Sequence, residues 1–177
     1  MATLYGSAVS STGIPPQNIN QNGFAHARMR KLWSTYTGQP TTSDTLVIGL
    51  FKSSDRIFDI KFYTDGAGTN GALNIGVHRV DRANGAMSLT AVDADVFATA
   101  KATGTAILVG SATATVFTES TNFVDSERGK PLWQLASDQT STYSADPGHT
   151  LAITATPSTS EDASSIYCFE IEYVAGD

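Results

Sequence analysis

Gly66, Gly68 and Gly71 stand in the spacing G-x-G-x-x-G, a few residues after the strand-like run "RIFDIKFYT". A nucleotide loop of that spacing needs a strand leading in and a helix opening behind, so that phosphate oxygens meet the helix's free N–H groups. The second requirement fails. "ALNIGVHRV" puts Leu73, Ile75 and Val77 on one side and Asn74, Gly76 and His78 on the other, a period of two. A helix starting at Gly71 would also take Asn74 and Gly76 into its first turns, each unfavourable relative to Ala. No G-K-[ST] follows the glycines, so the P-loop variant fails as well. The stretch is expected to be a hairpin connection, where positive φ calls for Gly and Asn.

The remaining polar groups make weaker cases for chemistry. "DGAGTN" and the pair Asp93 and Asp95 offer oxygen ligands for a hard cation, but the EF-hand order is missing, and a turn aspartate and a helix cap account for them. His26, His78 and His149 are far apart and belong to no H-E-x-x-H, H-x-E or C-x-x-C grouping of the kind zinc needs. A Cys168–His149 dyad would need a protease context that the sequence lacks; Cys168 is expected to pack as a small strand side chain. Glu170 and Glu172, two apart on a strand, share a face, the proximity a glycosidase's acid pair requires, yet such pairs usually come from different strands. Trp33, Tyr36, Phe62, Tyr63 and Trp133 are the remaining binding signal, an aromatic platform for a sugar or a base, with core or interface packing as the competing use. No catalytic, metal or cofactor site emerges, and the chain is read as a non-enzyme.

These residues need a scaffold, and the periodicities describe one. "FAHARMRKLWSTYT", "TLVIGLF" and "RIFDIKFYT" read as strands, the last with Phe58, Ile60 and Phe62 on one face and Asp59, Lys61 and Tyr63 on the other. "VDRANGAMSLT" reads as two strands around the turn signal "ANG". Residues 91–104, "AVDADVFATAKATG", form the best helical candidate, with Asp93 or Asp95 as cap and Val92, Val96, Phe97 and Ala100 as the apolar stripe. "TAILVGSATATVFT" reads as one or two strands, and "RGKPLWQLASD" as a short helical turn opened by Pro131. "HTLAITATPST" and "SSIYCFEIEYV" read as a closing pair of strands, the last placing Tyr167, Phe169, Ile171 and Tyr173 opposite Cys168, Glu170 and Glu172. Eight or nine short strands with one or two brief helices imply an all-β fold, an antiparallel β-sandwich or jelly roll.

At 177 residues the chain suits one domain able to bury roughly 70% of its unfolded surface. Residues 1–23, small and amide-rich with Pro15 and Pro16, follow neither period and are expected to be an extended N-terminal arm, leaving residues 24–177 as the sandwich domain. A net charge of −6 argues against nucleic acid or an anionic membrane as the main partner. The basic residues are nonetheless polarised, six of the eleven falling between Arg28 and Lys61. With one cysteine, no intrachain disulfide is available, and the N-terminus has neither the basic nor the apolar region of a signal peptide. A soluble protein made in the cytoplasm is expected.

The chain from about residue 24 to 174 resembles the small all-β virion structural proteins of tailed bacteriophages, above all head decoration or cement proteins. The segments that carry the likeness are "ALNIGVHRVDRANGA", "AVDADVFATAKA", "KPLWQLASDQTSTYSADPGHTLAITATPST" and "IYCFEIEYV". The resemblance implies a protein that binds the major capsid protein of an assembled shell, reinforces it at the virion surface after synthesis in the host cytoplasm, and forms a homotrimer. Ile14, Pro15 and Pro16 in the arm, with Arg28 and Arg30 in the basic stretch, are the candidate capsid or subunit contacts. The alternative is a tail, neck or fibre component, or a glycan-binding sandwich that recognises a host surface through exposed aromatics.

Overall fold

In the computed structural model, which describes residues 2–5, 29–83, 86–117, 127–137 and 142–176, eight strands and one helix follow in the order β1 (Ala2–Tyr5), β2 (Met29–Gly38), β3 (Asp44–Lys52), β4 (Arg56–Thr64), β5 (Ala72–Ala83), β6 (Ala86–Ala102), α1 (Leu132–Ser137), β7 (Thr150–Thr159) and β8 (Ser165–Val174). They form two sheets. One has five strands in the order β1-β3-β7-β5-β6, antiparallel except where β1 runs parallel to β3; the other has three antiparallel strands, β2-β8-β4. The chain passes from one sheet to the other at β2–β3, β3–β4, β4–β5 and β7–β8, which closes an all-β sandwich of the expected class.

The sandwich forms because alternate residues along β4, β5, β7 and β8 are largely apolar and face the opposite sheet. Leu46, Ile48, Leu73, Ile75, Val77, Leu151 and Ile153 line the five-stranded sheet, and Ile57, Ile60, Phe62, Tyr167, Phe169 and Ile171 line the three-stranded one, all in one buried cluster. Phe62 packs on both Phe169 and Tyr167, with ring centroids 5.2 and 6.2 Å apart. The short helix α1 buries Leu132, Leu135 and Ala136. Its first N–H groups are satisfied by the β3–β4 turn, Leu132 donating to the Asp55 carbonyl at 2.8 Å and Trp133 to that of Ser53 at 3.1 Å.

Several expectations give way. The segment expected to be a helix at residues 91–104 is the second half of β6. Its pairing with β5 moves from Val77↔Asp93 to Ile75↔Ala98, so five steps along β6 oppose two along β5. The surplus makes a bulge that buries Val96, Phe97 and Ala98 in succession and breaks the period of two. Asp93 is accordingly no helix cap: it is buried in β6, where its Oδ1 accepts the Asp95 N–H at 3.3 Å. A smaller bulge between Ile57 and Asp59 turns Ile57 inward in place of Phe58, which is half-buried. The expected strands in "TAILVGSATATVFT" are reduced to isolated bridges that run along the outer edge of β4, Ile107 against Thr64 and Thr115 against Lys61. The two closing segments are strands, but they belong to different sheets and do not pair. The strands on either side of the "ANG" signal, β5 and β6, do pair antiparallel as that signal implies.

Candidate interaction surface on the three-stranded sheet

The glycine loop is no hairpin, since it carries the chain from β4 in one sheet to β5 in the other. Its glycines wrap the protein's own carboxylates. A Cβ on Gly68 or Gly71 would occupy the place of the buried Glu161 carboxylate, and a Cβ on Gly66, where φ is +67°, would overlap the backbone of Ala106. Thr103 Oγ1 donates to Glu161 Oε1, Thr69 N–H donates to Asp162 Oδ1 at 2.8 Å, and Gly68 N–H donates to Ser165 Oγ at 3.1 Å. The backbone donors and space that a phosphate would claim are filled by the β7–β8 connection. Burial first, and Glu161 second, push the Tyr167 phenol upward. Glu161 is the residue that sequence reading missed, and the signal was there in Gly68 and Gly71, glycines three apart beside a loop that needed to come close.

The chemistry-bearing residues converge instead on the outer face of the three-stranded sheet. The β2–β8 pair keeps one register over its ten residue pairs, and β4 continues it on the other side of β8. Three rows of three side chains follow from that register: Lys31, Glu172 and Asp59; Trp33, Glu170 and Lys61; Thr35, Cys168 and Tyr63. Alternation puts them on one face, opposite the inward-facing Ile60 and Phe62, with Tyr63 itself buried at the edge of the core cluster.

The Lys31 ammonium lies 2.7 Å from Glu170 Oε1 and 2.7 Å from Glu172 Oε1. Lys61 sits 3.6 Å from Glu172 and 3.8 Å from Glu170 and Asp59, and Arg128 reaches Asp59 at 3.2 Å. Tyr63 donates to the second oxygen of Glu170 at 3.1 Å. Glu170 is buried beneath these partners although it belongs to the outer face. Hydrogen bonds to Glu170 and Glu172 raise the Lys31 ammonium, and the same Lys31 contact holds Glu172 below the usual carboxylate range. Burial, followed by the Glu170 hydrogen bond, pushes Tyr63 up to about 12. The two glutamates thus share the face expected of them, but they are bridged by one ammonium rather than set across an open cleft.

Above this lattice Trp33 stacks on Tyr63, with centroids 5.9 Å apart and planes 10° from parallel, while the indole stays 47% exposed. Met29 and Ile166 are exposed on the same face, so it holds three of the five large apolar side chains exposed among the described residues; Leu108 and Val109 are the others. Exposed apolar groups rimmed by polar and charged ones make this face the candidate interaction surface among the described residues.

The other sequence candidates are dispersed. Arg30 is exposed on β2 opposite Tyr173, in the alternate row that points to the other side of the sheet, whereas Ile14, Pro15, Pro16 and Arg28 lie outside the described residues, as does His26. The expected arm falls largely there too, except that Ala2–Tyr5 is a strand along the edge of β3. Cys168 accepts from Thr35 Oγ1 at 3.7 Å on the three-stranded sheet, while His149 precedes β7 in the other, so no dyad forms. His78 is buried with Nδ1 2.8 Å from Thr154 Oγ1, and burial holds it below its ordinary value. No group of three or more potential metal ligands occurs among the described residues, and no helix among them is long and apolar enough to cross a membrane.

No family model matches the chain, and no curated protein matches it. Among solved structures, the fold is similar to that of a chain in "Capsid of Ralstonia phage GP4", at 12% identity over 99% of this chain and 99% of that one, with a TM-score of 0.53. A chain in "Cyanophage Pam1 capsid asymmetric unit" aligns at 11% identity over 92% of this chain and 99% of that one, with a TM-score of 0.48.

Proposed function

We propose that the chain is a virion structural protein of a tailed bacteriophage, a decoration or cement protein that adds to the assembled capsid and reinforces it. The observation that carries this reading is the end-to-end likeness of its fold to a chain from the Ralstonia phage GP4 capsid. The partner is the major capsid protein, the site of action is the capsid surface after synthesis in the host cytoplasm, and the working form is a homotrimer. The protein acts by adhesion, without catalysis. The outer face of β2, β8 and β4 supplies one contact through Trp33, Met29 and Ile166, and Arg30, exposed on the other side of β2, adds to it at the sheet edge. Ile14, Pro15, Pro16 and Arg28 supply a second through the arm.

Incubating the purified protein with shells that lack it, followed by sedimentation, tests the reading. Wild-type protein is expected to pellet with the shells and Trp33→Ala to pellet less; protein left in the supernatant at every concentration would contradict attachment. The Trp33–Tyr63 stack beside Glu170 supports a second reading, a sugar-binding module. Saturable binding on a glycan array that Trp33→Ala abolishes would favour that reading over capsid attachment.

A further inference from the structure

Two exposed apolar side chains remain outside the three-stranded sheet, and they are adjacent. Leu108 is 69% exposed and Val109 77%, at a turn closed by the Ser111 N–H donating to the Leu108 carbonyl at 3.0 Å, with Gly110 at φ +88°. Turns favour Gly, Asn, Asp and Ser, so two bulky apolar residues at a tip need another reason. The tip is held firmly. On one side Ile107 exchanges hydrogen bonds with Thr64 at 2.9 and 3.2 Å; on the other Phe62 donates to Ala114 at 2.8 Å, and Lys101 Nζ donates to Thr113 at 2.9 Å. A rigid tip loses little conformational freedom when it is buried by a partner.

Beside its foot lies an open hollow of about 340 Å³ between the end of β6 and the same loop, lined by Thr99, Ala102, Thr105, Ala106, Ile107 and Thr113 among others. Its wall is also fixed, because the Ala100 N–H, at a residue with φ +50°, donates to Asn74 Oδ1 at 2.8 Å. Methyl groups of alanine and threonine dominate the lining, and Lys101 is the one charged residue in it.

We propose that the tip of one copy of this chain seats in the hollow of another. A knob beside a hollow lets each copy give one tip and receive one, which closes around a ring of three. Charge favours the same site. Copies carrying −6 each repel, and neither the tip nor the lining of the hollow contains a carboxylate, so the copies meet here without setting acid against acid. The inference rests on the self-association proposed above and is independent of attachment to a shell, since it is measured on the protein alone.

Sedimentation velocity of the full chain over a range of concentrations tests it. Wild type is expected to form a species of three times 18.6 kDa, the closed ring. Leu108→Ser combined with Val109→Ser removes the knob, and Ala102→Trp fills the hollow from an exposed position. Each is expected to weaken self-association by about ten-fold or more, with unchanged circular dichroism. A wild-type protein that stays at 18.6 kDa throughout, or an oligomer untouched by the folded hollow variant, would overturn the proposal.

Discussion

Lys31 and Glu170 meet at 2.7 Å across the β2–β8 pair, one partner half exposed and the other buried. Burying a carboxylate is tolerable when cations and donors surround it and costly when one is withdrawn. Lys31→Met is therefore expected to lower the thermal midpoint, because Lys61 at 3.8 Å and the Tyr63 hydroxyl are then left to hold two glutamates. The pH dependence has a definite sign. Glu172 is held below its ordinary value of 4.5 in the folded state, so its contribution is present above that value and is lost as pH falls through the folded one. Melts at about pH 7 and about pH 4 are expected to show a smaller acid loss in Lys31→Met than in wild type.

His78 gives a second slope. Burial depresses it from 6.5, so the unfolded chain takes up a proton that the folded chain resists, and stability falls as pH drops below 6.5. Replacing it with Asn is expected to flatten the urea-unfolding midpoint between about pH 7 and about pH 5 while lowering it at neutral pH through the lost Thr154 contact.

Gly71→Ala sets a methyl group against the Glu161 carboxylate, which is buried and hydrogen-bonded to Thr103 and has little room to withdraw. A loss of about 1–3 kcal/mol in chemical denaturation is expected, typical of overpacking. Gly76→Ala is expected to cost more, since its methyl meets the backbone of Asp93 and Ala94 rather than a side chain.

These two glycines mark where sequence stopped being sufficient. Period two correctly assigned β8, with Tyr167, Phe169, Ile171 and Tyr173 buried, and ruled out a helix after Gly71. It failed at β6 because a bulge that buries Val96, Phe97 and Ala98 in a row imitates a helical stripe, and only the facing strand reveals it. The loop at Gly66 carries the turn residues of a hairpin because local chemistry selects them, while the sheet that receives the next strand is set by packing. Glu170 and Glu172 could be put on one face from their spacing. Their partner Lys31, 139 residues from Glu170, becomes a neighbour only through the strand order β2-β8-β4.

Removing residues 1–23 takes away the four-residue strand on β3 and the arm proposed to bind the shell. The truncated protein is expected to keep its β-sheet circular dichroism, because the described core cluster, from Leu46 to Tyr173, is retained in full, and to occupy fewer sites on shells. Unchanged occupancy would remove the arm from the attachment mechanism.

The proposal that this is a structural component of a phage particle is tested most directly by quantitative mass spectrometry of the phage that encodes it, after gradient purification. The expected result is this 18.6 kDa chain in the particle at a fixed, high ratio to the major capsid protein. Its absence from purified particles, while abundant in the infected-cell lysate, would contradict the proposal.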